Sequence, residues 1–208
     1  TGVQTCALPI CRGELAVQLA LGTASFDAAQ AEQFEALLAR RVAREPLQHL
    51  TGEAHFRNIT LKVGKGVFVP RPETEFVTGL AIDAVKADAS PSPIVVDLCA
   101  GSGAIGLAIA NELPHARVYG VELSDEAIEY TRENYQRIAP ENAQIIHADI
   151  TDALQQLNGT VDFVISNPPY IPAEMVPIYP EVALHDPELA LYGGEDGLDL
   201  VKVVSDVA

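Results

Sequence analysis

The sequence predicts an α/β fold, an open and mostly parallel sheet with a small helical piece before it. Three observations predict this. A β-branched run, Ile94-Val95-Val96-Asp97-Leu98, passes through a glycine turn, Cys99-Ala100-Gly101-Ser102-Gly103, into a small-residue helical stretch, Ala104 to Ala110. That strand–turn–helix order is the opening unit of an open parallel sheet. Three later apolar runs each end on a polar residue, Glu122, Asp149 and Asn167, at the edge where such sheets bind ligands. Ahead of them, Phe34, Leu37 and Leu38 recur at helical spacing.

From the N-terminus, residues 1–11 read as the translation of a sequencing adapter, neither periodic nor signal-like, and are set aside from fold reasoning together with Cys6. Residues 12–54 read as a partial helical domain. Glu14 to Leu21 is a helical remnant; Asp27 is an N-cap with Gln30 as its capping-box partner. Arg40, Arg41 and Arg44 suit the C-terminal end of that helix, as dipole-compensating charges or as a binding patch, and Pro46 stops it. Residues 55–72 are expected to be a β-hairpin linker, with strands Phe56–Val63 and Val67–Val69 around Gly64-Lys65-Gly66. Glu73 to Ala87 reads as a helix, leading through Ser90-Pro91-Ser92-Pro93 into the sheet. The strands are Ile94–Leu98, Arg117–Glu122, Gln144–Ala148 and Val161–Ser166, with Ser124 capping a helix after the second.

The tip Asn167-Pro168-Pro169-Tyr170 carries the most chemistry. Two prolines lock φ and donate no hydrogen bond, so neither strand nor helix continues. The result is a stiff tip presenting an Asn side chain, a carbonyl and an aromatic face. The Asn167 oxygen and a backbone carbonyl suit a planar –NH2 with two hydrogens to donate. The bland alternative is a proline turn after a strand. Upstream, the glycine turn is not a P-loop, because no Gly-Lys-Ser/Thr follows it. Gly101 and Gly103 would let the backbone approach a ligand. Glu122, about 20 residues on, is placed to hold a ribose diol, as in dinucleotide enzymes. Asp97 either bonds loop N–H groups or contacts an amino group of the ligand. Asp149 either touches a base or caps a helix at Thr151.

The chain resembles class I S-adenosylmethionine-dependent methyltransferases on the glycine loop, Glu122, Asp149 and Asn167–Tyr170, with a Rossmann-like sheet. On Glu45–Gly52, Phe56, Val69-Pro70-Arg71-Pro72-Glu73-Thr74-Glu75 and Gly193-Gly194-Glu195-Asp196-Gly197-Leu198-Asp199 it resembles the HemK/PrmC family of release factor glutamine N5-methyltransferases, over about residues 12–208. Pro72 separates it from the related ribosomal-protein enzymes, which carry Ser there. The resemblance implies methyl transfer from S-adenosyl-L-methionine to the glutamine amide in the Gly-Gly-Gln loop of peptide chain release factors. It implies that residues 12–54 are a substrate-docking domain and 73–208 a methyltransferase domain lacking its last strands. It implies that Asp97 and Cys99, Ala100, Gly101, Ser102, Gly103 wrap the methionine part of the donor. Glu122 would hold the ribose, Asp149 and the Ile150 backbone would lie by the adenine, and Asn167 would reach the donor as well. Asn167, Pro168, Pro169 and Tyr170 would hold the amide, with Asn167, Pro168 and Tyr170 catalytic. Cys99 departs from the family's usual Gly.

Composition narrows the classes. The content is 48% hydrophobic and 20% charged, which is globular. Three Cys and five scattered His show no metal spacing or disulfide framework, so no metal is expected. A formal charge of −16 argues against a duplex nucleic-acid binder. The expectation is a cytoplasmic monomer with no membrane or direct nucleic-acid contact. Two other readings stand beside it: a nucleic-acid N6-adenine or N2-guanine methyltransferase, and an inactive donor-binding fragment.

Overall fold

The computed structural model describes residue 25 and residues 27–139 and 141–208. The expectations for residues 1–11 and for a helix at Glu14 to Leu21 lie outside these residues. In chain order the elements are α1 (Ala28–Val42), α2 (Leu47–Thr51), β1 (Glu53–Phe56), β2 (Ile59–Lys62), α3 (Pro72–Ala87), β3 (Ile94–Leu98), α4 (Ala104–Glu112), β4 (Arg117–Glu122), α5 (Asp125–Ile138), β5 (Ala143–His147), β6 (Phe163–Ser166), α6 (Pro180–His185) and α7 (Asp199–Val207). They form two compact units: residues up to Gly52 with Pro177–His185, and Glu53–Val176 with Asp186–Ala208. Among the described residues no helix is long and apolar enough to cross a membrane.

The first unit is helical. Asp27 and Gln30 form a reciprocal capping box at the start of α1. The basic residues at its end are held in ion pairs: Arg40 with Glu45, and Arg41 and Arg44 with Glu181 of α6. α1 ends at Val42, before Pro46: the chain turns left-handed at Arg44, φ +71°, and Pro46 is instead the N-cap of α2, whose C-cap Gly52 takes φ +73°.

The second unit is built on a four-stranded, all-parallel sheet in the order β5-β4-β3-β6. β3 is apolar at every position but Asp97 and buried throughout, because both its faces are covered. Val95, Val118 and Ala143 pack on one face with α4, Tyr135 and the hairpin residues Phe56 and Leu61. Val96, Leu98, Val121 and Ile150 pack on the other, with Leu200, Val203 and Val204 of α7.

The hairpin differs from the sequence expectation. It joins Glu53–Phe56 to Ile59–Lys62 across Arg57-Asn58, so Val67 and Val69 are not strand. The valines are β-formers by composition, but their burial comes from packing in the core, not from a ladder partner. The hairpin clusters with the second unit rather than standing between the units.

Candidate active site

The order β5-β4-β3-β6 means that the chain winds outward through β4 and β5, then returns to the other side of β3. The switch point therefore lies between β3 and β6, and ligands of such sheets bind outside the strand ends at that point. Leu98 pairs with Ser166, the last residues of their strands. The Ser166 hydroxyl donates to the Leu98 carbonyl at 2.6 Å. Cys99 and Asn167 thus leave the sheet at one level, and the glycine loop and the Asn-Pro-Pro-Tyr tip are brought together.

The loop is unequal along its length. Cys99 takes φ +65°, a left-handed conformation that favours glycine, which is the physical reason a Gly suits this position. Burial pushes its thiol up to about 12, only partly opposed by a hydrogen bond with Ser166. It is a packed thiol rather than a nucleophile. Gly101, at φ +57°, has open space where a Cβ would stand. Gly103, at φ +84°, does not: a Cβ there would lie 2.8 Å from the Tyr135 ring. Only Gly101 supports the expected close approach of backbone to ligand; Gly103 is glycine for internal packing. Ala100 and Ser102 are buried beside them.

Asp97 is fully buried and accepts from the Gly106 N–H at 2.8 Å through Oδ2, so it braces the start of α4. Its Oδ1 is buried with no hydrogen-bond partner, which keeps the second alternative, an amino group of a ligand, chemically open. Burial raises its pKa to about 7, with the Gly106 hydrogen bond opposing and Glu122 adding to the rise.

Glu122 is buried at the end of β4. Its Oε2 accepts from Gly101 N–H at 2.7 Å and its Oε1 from Ser124 N–H at 2.6 Å. Burial raises its pKa against these hydrogen bonds. The Leu123 N–H also bears on this carboxylate, which with about four lone-pair sites keeps acceptor capacity for a ribose hydroxyl. Asp149 is exposed, and its Oδ1 accepts from both the N–H and the hydroxyl of Thr151, at 2.9 and 2.8 Å. These bonds lower its pKa. Beyond Ile150 the chain makes a run of turns and a 3₁₀ turn at Gln155–Leu157, not the α-helix expected there. The Ile150 side chain is in the core.

On the acceptor side Asn167 and Pro168 are half-buried, Pro169 is buried and Tyr170 is 62% exposed. The tip is clasped by the Gly193–Asp199 segment. Ile171 N–H donates to Leu191 O and Gly193 N–H to Ile171 O. A Cβ at Gly193 would fall 2.6 Å from the Pro169 carbonyl oxygen, and one at Gly197 2.3 Å from that of Tyr170. Arg71 pairs with the buried carboxylate of Asp186 and lies over the Phe68 ring. The sequence marks the glycine tail and Arg71 without giving either a structural task. Thr131, Asn134 and Tyr135, outside the sequence expectations, also back the loop; their inward i, i+3, i+4 spacing on α5 is the signal the sequence carries for them.

Residues 58–177 match the family model described as methyltransferase small domain, and residues 15–52 match the PrmC N-terminal domain. A release factor glutamine methyltransferase of Streptomyces coelicolor is 53% identical over 92% of this chain and 65% of its own length. One of Mycolicibacterium smegmatis is 48% identical over 84% of this chain and 60% of its own. A 4-amino-L-phenylalanine/4-methylamino-L-phenylalanine methyltransferase of Streptomyces pristinaespiralis is 42% identical over 81% of this chain and 58% of its own. The chain thus spans between 58% and 65% of the length of these relatives. With both family models matched and these relatives alongside, the chain belongs to the methyltransferase small domain family and, within it, to HemK/PrmC.

Proposed function

We propose that this protein transfers a methyl group from S-adenosyl-L-methionine to the side-chain amide nitrogen of the glutamine in the Gly-Gly-Gln loop of peptide chain release factors. The observation that carries the reading is the register of β3 with β6, which sets a donor-type glycine loop beside an amine-reading tip. The donor, when bound, supplies an electrophilic methyl on a sulfonium. The open face of Gly101, the unpartnered Asp97 Oδ1 and the remaining acceptor capacity of Glu122 fit its methionine and ribose parts. Cys99 to Gly103 with Asp97 would hold the methionine end, Glu122 the ribose, and Asp149 with the Ile150 backbone the adenine, with Asn167 reaching between the two substrates.

The chain's part in the chemistry is orientation. An amide nitrogen is a poor nucleophile because its lone pair is delocalised. Holding it in line can supply roughly 7–11 kcal/mol of the barrier. The Asn167 side-chain oxygen and the Pro168 carbonyl would accept the two amide hydrogens and put negative partial charge where positive charge develops. The Pro169 and Tyr170 carbonyls are turned to the Gly193–Asp199 clasp, which supports Pro168 as the second acceptor. Tyr170, exposed beside the tip, would pack on the glutamine side chain. No general base is required, since the proton can leave after transfer. A release factor acceptor places the work in the cytoplasm, and the reading takes the chain as a monomer.

A second reading has one observation behind it: the relative named for 4-amino-L-phenylalanine acts on an aryl –NH2. Mass spectrometry after incubation with donor separates the two. A one-methyl mass gain on the Gly-Gly-Gln peptide of a release factor supports the proposal. A gain on 4-amino-L-phenylalanine with none on the peptide supports the second reading. A gain on DNA or RNA alone overturns both.

A further inference from the structure

Three consecutive residues of the glycine loop are gripped from one side by three residues of one helix. Thr131, Asn134 and Tyr135 face inward from α5 and are 0%, 0% and 3% exposed. The Thr131 hydroxyl lies 2.5 Å from the Gly101 carbonyl and 2.8 Å from that of Ala127, so its single hydrogen serves the loop as well as its own helix. Asn134 Nδ2 donates to the Ser102 carbonyl at 3.0 Å and to the Lys62 carbonyl at 2.9 Å, and its Oδ1 accepts from the Lys62 N–H at 2.7 Å. The Tyr135 ring fills the space that a side chain on Gly103 would need.

These contacts orient the loop. The peptides here are trans, so a carbonyl drawn toward α5 turns the N–H of the same peptide the other way. The Gly101 carbonyl points to Thr131; the Ser102 N–H therefore points away from α5. A carboxylate on the open side of Gly101 would meet that N–H, and such charge-assisted bonds are the strong ones. Asn134 adds the end of β2 to the same tie, so the hairpin is held to the loop through one buried amide.

We infer that Thr131 and Asn134 are positioning residues that set the glycine loop for the amino-acid end of the donor and leave its nucleoside end untouched. The inference rests on the donor reading given above. It predicts a split between two ligands that share the nucleoside. S-adenosylhomocysteine carries the amino-acid tail and 5′-methylthioadenosine lacks it. Calorimetric titration of the full chain with each ligand is the test, with thermal melts to establish folding. Thr131→Val keeps the shape and loses the hydroxyl; it is expected to weaken S-adenosylhomocysteine about five- to tenfold and 5′-methylthioadenosine less than about twofold. Thr131→Ser, which keeps the hydroxyl, is expected to restore binding. Asn134→Asp, which keeps the shape and gives up donation to both Ser102 and Lys62, is expected to show the same split. Equal weakening of both ligands, or a Ser variant as weak as the Val variant, overturns the inference and leaves the donor reading standing. Failure of the wild-type chain to bind S-adenosylhomocysteine overturns both.

Discussion

Cys99 and Asp97 each hold a position against an intrinsic cost. Cys99 sits at φ +65°, where a side chain costs roughly 1–2 kcal/mol. Cys99→Gly removes that strain and loses a half-buried thiol, so the expected net change in stability is within about 1 kcal/mol. Cys99→Val, β-branched at positive φ, is expected to be clearly less stable; denaturant melts of both variants check this. With its thiol pushed up to about 12, Cys99 is expected to resist alkylation at pH 8 in the folded protein. Asp97 bears on pH. Its pKa is raised from 3.8 to about 7, so between those values the folded state keeps a proton that the unfolded state has released. Stability contributed by this group is therefore lost as pH rises from about 4 to about 7, by at most about 4 kcal/mol. Asp97→Asn is expected to flatten that slope in melts at pH 5 and 8. An unchanged slope would assign it to another group. Donor affinity carries the opposite sign if Asp97 meets the donor's ammonium, because only the ionised carboxyl attracts it. Affinity should then rise through pH 7, whereas a flat profile leaves Asp97 as a brace for α4 alone.

At the scale of elements, the Gly193–Asp199 segment acts on the tip through backbone. Gly197→Ala would place a Cβ 2.3 Å from the Tyr170 carbonyl oxygen at φ +80°, so either the clasp or the tip must shift. The expected result is at least a tenfold loss of transfer, with a stability cost of about 1–3 kcal/mol. Donor affinity should stay within about twofold; transfer rates set beside calorimetry check the split. Arg71→Met removes an ion-pair partner of the fully buried Asp186 carboxylate. It is expected to cost about 2 kcal/mol or more, read as a lower thermal midpoint. The strands were legible because their signals are local: β3 and β4 match the sequence reading residue for residue. The hairpin was not, since Val67 and Val69 are buried by packing rather than by a ladder. The grouping of α6 with the helical unit was equally hidden, because Glu181 meets Arg41 and Arg44 from far along the chain.

For the whole molecule, the parallel order and the polar strand ends already marked one edge as the expected ligand edge, and the strand order puts its switch point between β3 and β6. The spacing on α5 turns Thr131, Asn134 and Tyr135 inward, but the sequence could not show what they hold behind that edge. Thr131 and Asn134 act on backbone carbonyls, and a carbonyl leaves no mark in a residue pattern. Gly103 likewise looked like a ligand-contact glycine and is one made for Tyr135. The placement of the candidate site within one unit gives an expectation for hydrogen exchange. Donor should protect residues 97–106 and 122–135 in the sheet unit while leaving 28–51 unchanged, whereas protection spread over both would contradict a site confined to that unit. The proposed function turns on one division of labour, with the glycine loop for the donor and the Asn167 tip for the acceptor amine. Asn167→Ala tests that division most directly, by comparing single-turnover transfer to a Gly-Gly-Gln peptide with calorimetric donor affinity. Transfer is expected to fall by about a hundredfold or more while donor affinity stays within about threefold. Parallel losses in both, or transfer that survives the change, would contradict it.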